Sequence, residues 1–131
     1  MSGQPDVGLA DTSLFIAGEQ GRPLRGELPV RVAVSVITIG ELSLGVLAAS
    51  TGQQRGQRLE TLRRAEALEP LPINGQVTGT WARLRLSLRD AGRRMPLNDS
   101  WIAATAMAAG LPVVAQDADY DNVPGLAVVR V

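Results

Sequence analysis

The sequence predicts an α/β fold with a mainly parallel central sheet, and three observations support this. Short apolar runs recur at Val7–Ala10, Val32–Val36, Pro112–Ala115 and Leu126–Val131. Longer segments between them space their apolar residues as helices do. Strands that alternate with helices are joined by crossovers, and crossovers build parallel sheets. At 131 residues with no internal repeat, low-complexity tract or linker, the chain is expected to be one domain, residues 1–131.

Val7–Ala10 reads as a buried strand that ends at Asp11, after which Thr12-Ser13 opens a short helix from Leu14 to about Gly18. The stretch EQGRPLRGELP, rich in Gly and Pro, reads as loop. Val32–Val36 is a second strand, followed by a helix from about Thr38 to Ser50 with Leu42, Leu44, Val46 and Leu47 near its core side. Thr51-Gly52 breaks the chain. Gln53 to Leu68 is an Arg-rich helix with a narrow stripe of Leu59, Leu62 and Ala65. Leu71-Pro72-Ile73 is a candidate short strand. From Thr80 to Gly92 the leucines alternate as in a strand, yet Trp81, Leu84, Leu88 and Ala91 keep helical spacing. The absence of β-branched residues from Trp81 to Gly92 favours helix. The last helix runs from about Asp99 to Ala109 with Gly110 as its C-cap.

Composition excludes much chemistry. There is no His and no Cys, and all 13 basic residues are Arg. Imidazole bases, thiolate nucleophiles, Schiff-base lysines and most zinc sites are therefore absent. Carboxylates, hydroxyls, Arg and one Tyr remain, so a hard cation such as Mg²⁺ or Mn²⁺ held by oxygen is the most available strategy for an enzyme. Lack of Cys also suits a reducing compartment. The opening MSGQPDVG has no basic stretch before an apolar run, and no apolar run approaches the roughly 20 residues that span a membrane. A cytoplasmic protein with no membrane association is expected. Formal net charge is zero, which leaves room for a local basic face.

In a right-handed strand–helix–strand layer, strand C-termini and helix N-termini share one edge. Asp11 follows the first strand, Glu41 lies one turn into the helix after the second, and Asp99 and Asp117 bracket the last helix and its strand. The apolar run between Asp99 and Asp117 is thus a spacer that returns the chain to that edge. Four carboxylates, with Asp119 nearby, should repel one another there, and a divalent cation would offset the repulsion. Each acid also has a plain structural reading. Asp11 and either Asn98 or Asp99 suit helix N-caps, Thr38-Ile39-Gly40-Glu41 fits a capping box, and Asp117, Asp119 and Asp121 suit turns.

Three blocks carry a resemblance. GLADTSLFIAG, VAVSVITIGELSLGVLAA and LNDSWIAATAMAAGLPVVAQDADY are similar, in order and spacing, to the acidic blocks of the PIN-domain ribonucleases, particularly the VapC-type toxins of type II toxin–antitoxin pairs. The resemblance covers nearly the whole chain. It implies a three-layer α/β/α fold and a Mg²⁺- or Mn²⁺-dependent endoribonuclease that cleaves RNA with cation-activated water. It also implies a cognate antitoxin and a homodimer. Asp11, Glu41, Asp99 and Asp117 match the family's catalytic and metal-binding set, and Asp119 matches an additional acidic position. Thr12 and Ser13 are candidates to hydrogen-bond the ligand oxygens or simply to cap the helix. Where the family often carries Thr or Ser and then Arg before the fourth acid, this chain has Ala115 and Gln116.

RNA must be held by arginines, and Arg85, Arg89 and Arg93 are the candidates, Arg85 and Arg89 sharing a helix face. Arg55, Arg58, Arg63 and Arg64, together with Arg83 and Arg94, are further basic surface positions. Trp81 and Trp101 are expected in core or dimer contacts. Two other readings stay open: a PIN nuclease of RNA maturation without toxicity, and an inactive PIN-like module that binds proteins.

Overall fold

A computed structural model describes residues 6–131; the expectation for most of the opening MSGQPDVG stretch lies outside the described residues. In chain order the elements are β1 (Val7–Ala10), α1 (Thr12–Glu19), β2 (Arg31–Ala33), α2 (Val36–Leu47), α3 (Gly52–Glu66), α4 (Gly75–Asp90), α5 (Leu97–Ala109), β3 (Val113–Ala115) and β4 (Val128–Arg130). The four strands form one sheet in the order β2-β1-β3-β4, every pair parallel. The strand–helix alternation read from the sequence is therefore realised as a parallel sheet.

The sheet buries both faces, because side chains alternate along a strand. Leu9, Val113 and Ala115 join the main core with Val77, Leu84 and Leu88 of α4 and Ile102, Ala103 and Ala106 of α5. A second cluster of Val34, Leu42 and Ala65, with Phe15, Ile39 and Leu62 against it, ties α1, α2 and α3 together. Helices thus flank the sheet in a three-layer arrangement. On the face opposite Leu9, Gly8 stands where any Cβ would collide with Val114 Cγ2 and lie 3.1 Å from Pro29 Cγ. Close approach of the loop to the sheet requires glycine there.

α5 is the most buried helix because its inner residues are small: Ser100, Ala103, Ala104 and Ala106 let it press onto the sheet. Gly110 ends it in the left-handed conformation, φ 69°. Trp101 of α5 stacks on Trp81 of α4 with ring centroids 4.3 Å apart and planes 4° from parallel. The Trp81 indole N–H donates to Ser100 Oγ at 3.0 Å. Both rings are half-buried, so this pair forms a seam between the two helices.

Several local expectations are corrected. β2 stops at Ala33, because Ser35 is already the N-cap of α2 and its hydroxyl accepts the Thr38 N–H at 3.3 Å. The capping box centred on Thr38 is therefore absent, and Thr38 and Glu41 are free for other partners. Leu71-Pro72-Ile73 forms no strand, only an isolated parallel bridge from Leu71 to Ser35; Pro72 has no N–H to extend a ladder. α4 begins at Gly75, capped by Asn74, and α5 begins at Leu97 with Pro96 at the N-cap position, so neither Asn98 nor Asp99 caps it. Leu42 is buried, but Leu44 and Leu47 are 66% and 80% exposed. Leu44 and Leu47 stand two and five positions from Leu42, roughly on the opposite side of a helix with 3.6 residues per turn, so only Leu42 and Val46, four apart, share the inner side. Among the described residues, no helix is long and apolar enough to cross a membrane.

Candidate active site

The acidic residues gather at the edge where the strands end. Asp11 follows β1 and caps α1: its Oδ2 accepts the Ser13 hydroxyl at 2.5 Å and the Ser13 N–H at 3.3 Å. Its other oxygen, Oδ1, accepts the Tyr120 hydroxyl at 2.6 Å. Both oxygens are oriented, and Asp11 is largely buried. Asp11 thus caps α1, as the structural reading expected, and Ser13 bonds its carboxylate.

Tyr120 is 1% exposed, and its hydroxyl also neighbours the Asp99 carboxylate. The 2.6 Å bond goes to Asp11, and Asp99 also draws on the same hydroxyl. Burial and the two carboxylates push the Tyr120 hydroxyl far above its usual range, so it is a permanent donor. Asp99 is raised to about 6, first by loss of water and then by the charges of Asp11 and Asp119; the Tyr120 hydroxyl pulls the other way, and Glu41 adds least. Among the described residues no arginine forms an ion pair with any of these acids; the arginine ion pairs join Arg64 to Glu60, Arg89 to Asp90 and Arg130 to Asp121.

Glu41 is held by a relay. Thr12 Oγ1 donates to Glu41 Oε1 at 2.7 Å and lies 2.8 Å from Thr38 Oγ1. Thr12 has one proton, which goes to Glu41, so Thr38 donates to Thr12. Asn98 Nδ2 meets the second Glu41 oxygen at 3.4 Å. The hydroxyls of α1 and α2 thus aim a carboxylate from beneath.

Asp117 lies just past β3. Its Oδ1 accepts the Asp119 N–H at 3.0 Å, closing the tight turn expected of this acid-rich stretch. Asp119 is exposed, and its carboxyl is also pushed upward, by partial desolvation, by Asp117 and more weakly by Asp11. Asp99 feels the charges of Asp11, Asp119 and Glu41, and Asp119 those of Asp117 and Asp11. Asp121 faces away and pairs with Arg130 at 2.8 Å.

The donor set is all oxygen, carries excess negative charge and suits a hard cation. Among the described residues, however, no three of these acids stand close enough to form a ready-made cage. Mg²⁺ retains several waters and needs only one or two direct carboxylates, which the Asp11–Asp99 neighbourhood can supply.

The candidate RNA-contacting arginines do different things. Arg85 donates to the Met95 carbonyl at 3.2 Å and lies 6.0 Å from the Trp81 ring centre. Arg93 donates to the Asp119 carbonyl at 3.3 Å, and Arg89 sits 3.7 Å from Asp90 in an exposed pair. Sequence reasoning missed Tyr120, Thr38 and Asn98 as parts of the site. For Tyr120 a signal existed: the lone tyrosine of an aliphatic chain, set among aspartates, needs an acceptor when buried. Thr38 carried no signal beyond its place one turn before Glu41.

Comparison with known proteins agrees with this architecture. Residues 9–126 match the PIN domain family model. Ribonuclease VapC5 of Mycobacterium tuberculosis is 48% identical over 132 aligned positions, covering 100% of this chain and 98% of that protein. Ribonuclease VapC4 of the same organism is 46% identical, covering 94% and 95% of the two chains. The solved structure of VapBC-5, described as a member of the VapBC family of toxin-antitoxin systems from M. tuberculosis, superposes with a TM-score of 0.87 at 44% identity over 97% of this chain and 100% of that one. The chain belongs to the PIN-domain family, within its VapC ribonuclease branch.

Proposed function

We propose that this chain is the toxin of a toxin–antitoxin pair, a Mg²⁺- or Mn²⁺-dependent endoribonuclease acting as a single domain in the cytoplasm. The observation that carries the reading is the Asp11–Tyr120–Asp99 arrangement, which presses carboxylates together with no basic ion-pair partner among the described residues. Such a charge excess is costly in a folded protein unless a cation offsets it. Family membership and the naming of its relatives as ribonucleases support the same conclusion.

Asp11 and Asp99 would hold the cation directly, with Asp117 and Asp119 engaged through water. When bound, the cation would supply an activated water and stabilise charge at the phosphoryl centre. The chain's own residues do the rest. Tyr120 and Ser13 keep the Asp11 oxygens aimed, and Thr12 with Asn98 fixes Glu41 so that it can orient the attacking water. With no His in the sequence, a carboxylate or solvent must carry the proton. Arg85, Arg89 and Arg93 would contact RNA phosphates, Arg85 using N–H groups left over from its bond to Met95.

The partner would be a cognate antitoxin, as in the toxin–antitoxin assemblies that superpose on this chain. An apolar groove of about 330 Å³ between α1, the following loop and α3, lined by Leu14, Phe15, Leu24, Leu28 and Leu68, would accept its apolar side chains. The toxin itself would be a homodimer. The absence of a three-carboxylate cage among the described residues favours one competing reading, an inactive binding module.

A cleavage assay on antitoxin-free protein, with and without Mg²⁺ or Mn²⁺ and beside Asp99→Ala, separates them. Cation-dependent cleavage that the variant loses is the expected result. Absence of both cleavage and metal binding in folded wild-type protein would favour the module. Growth arrest on expression, relieved by the antitoxin, separates a toxin from a maturation nuclease.

A further inference from the structure

A nuclease whose active rim is acidic must draw a polyanion onto its own negative charge. Two hollows beside the rim show how this chain could do so, and one of them involves arginines that the sequence motifs do not mark. The first, about 490 Å³, is lined by Arg22 and Arg25 together with Ser13, Gln116 and Asp117. It opens directly onto the site: Ser13 binds Asp11, and Asp117 is itself one of the rim acids. The second, about 460 Å³, lies at the turn between α4 and α5 and is lined by Arg85, Arg89, Arg93 and Arg94.

A continuous run of contacts joins the two. Asp117 Oδ1 accepts the Asp119 N–H at 3.0 Å, and the Asp119 carbonyl accepts Arg93 Nη2 at 3.3 Å. The order across the surface is Arg22 and Arg25, Ser13 with Asp117, Asp119, then Arg93 and the second hollow. The second hollow is also pre-arranged. Arg85 and Arg93 are each pinned by a backbone carbonyl, not by a carboxylate. Their charge stays uncompensated, and each guanidinium has five N–H donors of which these bonds use one. From Arg83 to Arg94 five arginines stand against one acid, Asp90.

We propose that Arg22 and Arg25 form a phosphate-binding subsite on one side of the carboxylate rim, and that the α4–α5 hollow forms its counterpart on the other. A single RNA strand would then cross the rim with phosphates seated at both ends. This rests on the nuclease reading above and adds its substrate path. The chemistry recognised is the phosphodiester backbone, so the subsites set affinity and register, not base sequence. Arginine suits them because its planar fork matches phosphate.

The test uses the full chain carrying Asp99→Asn, so that bound RNA is not cut. Fluorescent oligoribonucleotides of increasing length, from a dinucleotide upward, are titrated at several salt concentrations without divalent cation. The variants are Arg22→Gln/Arg25→Gln and Arg89→Gln/Arg94→Gln, all at exposed positions, with unfolding curves confirming the fold. Each pair should weaken binding of the longer strands by roughly tenfold. Each should also flatten the salt dependence by about 1.4 in log–log slope, the loss of two single-strand phosphate contacts. Dinucleotide binding should change little. Unchanged affinity and slope in Arg22→Gln/Arg25→Gln at every length would overturn the proposal. So would a variant that binds RNA like its parent but escapes neutralisation by an acidic protein partner, since the hollow would then be a protein seat. Failure of the nuclease reading itself registers elsewhere, as absence of cation-dependent cleavage by the wild-type chain.

Discussion

The Tyr120 hydroxyl and the Asp11 carboxylate, 109 positions apart in the chain, meet at 2.6 Å inside the protein. This bond joins the last acidic turn to the end of the first strand, and the Asp99 carboxyl also lies beside the same hydroxyl. Tyr120→Phe keeps the ring and removes the bond. Hydrogen bonds to charged groups are worth about 1.5–3 kcal/mol, so the unfolding midpoint should fall by roughly 5–10 °C. Metal affinity, read by calorimetric titration, should weaken because Asp11 loses its orientation. An unaltered midpoint and an unaltered metal isotherm would show the bond to be idle.

Asp99 carries the pH signature. Its carboxyl is raised from 3.8 to about 6, so the folded, metal-free protein keeps a proton that the unfolded chain has already released. The folded state binds more protons through that window, and stability therefore falls as pH rises from about 4 to about 6 and stays lower above it. Because the group is only half-buried, solvent screening reduces the effect to about 1 kcal/mol. Asp99→Asn should melt a few degrees above wild type at pH 7.5 and level with it below pH 4. Added Mg²⁺ should raise the wild-type midpoint and leave the variant unmoved. Equal midpoints at both pH values would contradict the charge crowding at this edge.

Thr38 is buried and reaches Glu41 only through Thr12. Thr38→Val preserves shape but strands the Thr12 oxygen, at a cost of about 1–2 kcal/mol. Glu41 would then lose its fixed aim, and the cleavage rate should fall by about tenfold with little change in KM. Thr38→Ser should restore most of the rate. A serine variant as slow as the valine variant would place the effect in packing rather than in the hydroxyl.

Gly8 tests the sheet beneath the site. Gly8→Ala pushes a methyl group into Val114 and Pro29, and overpacking of this kind costs about 1–3 kcal/mol. Because Val114 pairs with Ala10, next to Asp11, the strain should also reduce activity. Denaturant unfolding with an unchanged slope and a lower midpoint is the expected readout.

The elements legible in the sequence are those whose cause is local. Helical spacing at Trp81, Leu84 and Leu88 outweighed the leucine alternation, and α4 is a helix. Gly110 ended α5 because only a left-handed residue closes that turn. The rim of Asp11, Glu41, Asp99 and Asp117 could be proposed because parallel crossovers bring strand ends and helix starts to one edge, and Asp99 feels the charges of Asp11, Asp119 and Glu41 there. Boundaries were less legible. Ser35, not Thr38, caps α2, since both hydroxyls are competent caps and only the path of β2 selects between them.

The sequence by itself determined the class of fold, the order of its elements and the kind of chemistry left to a chain without His, Lys or Cys. Those follow from residue type and spacing, which act over one or two turns. The tertiary structure alone decided that Tyr120 serves Asp11, that Thr38 serves Glu41 through Thr12, and that Arg93 reaches the Asp119 carbonyl. These partners lie 26 to 109 positions apart. No local pattern encodes which distant hydroxyl or guanidinium a buried oxygen will find, because that choice is made when the layers pack.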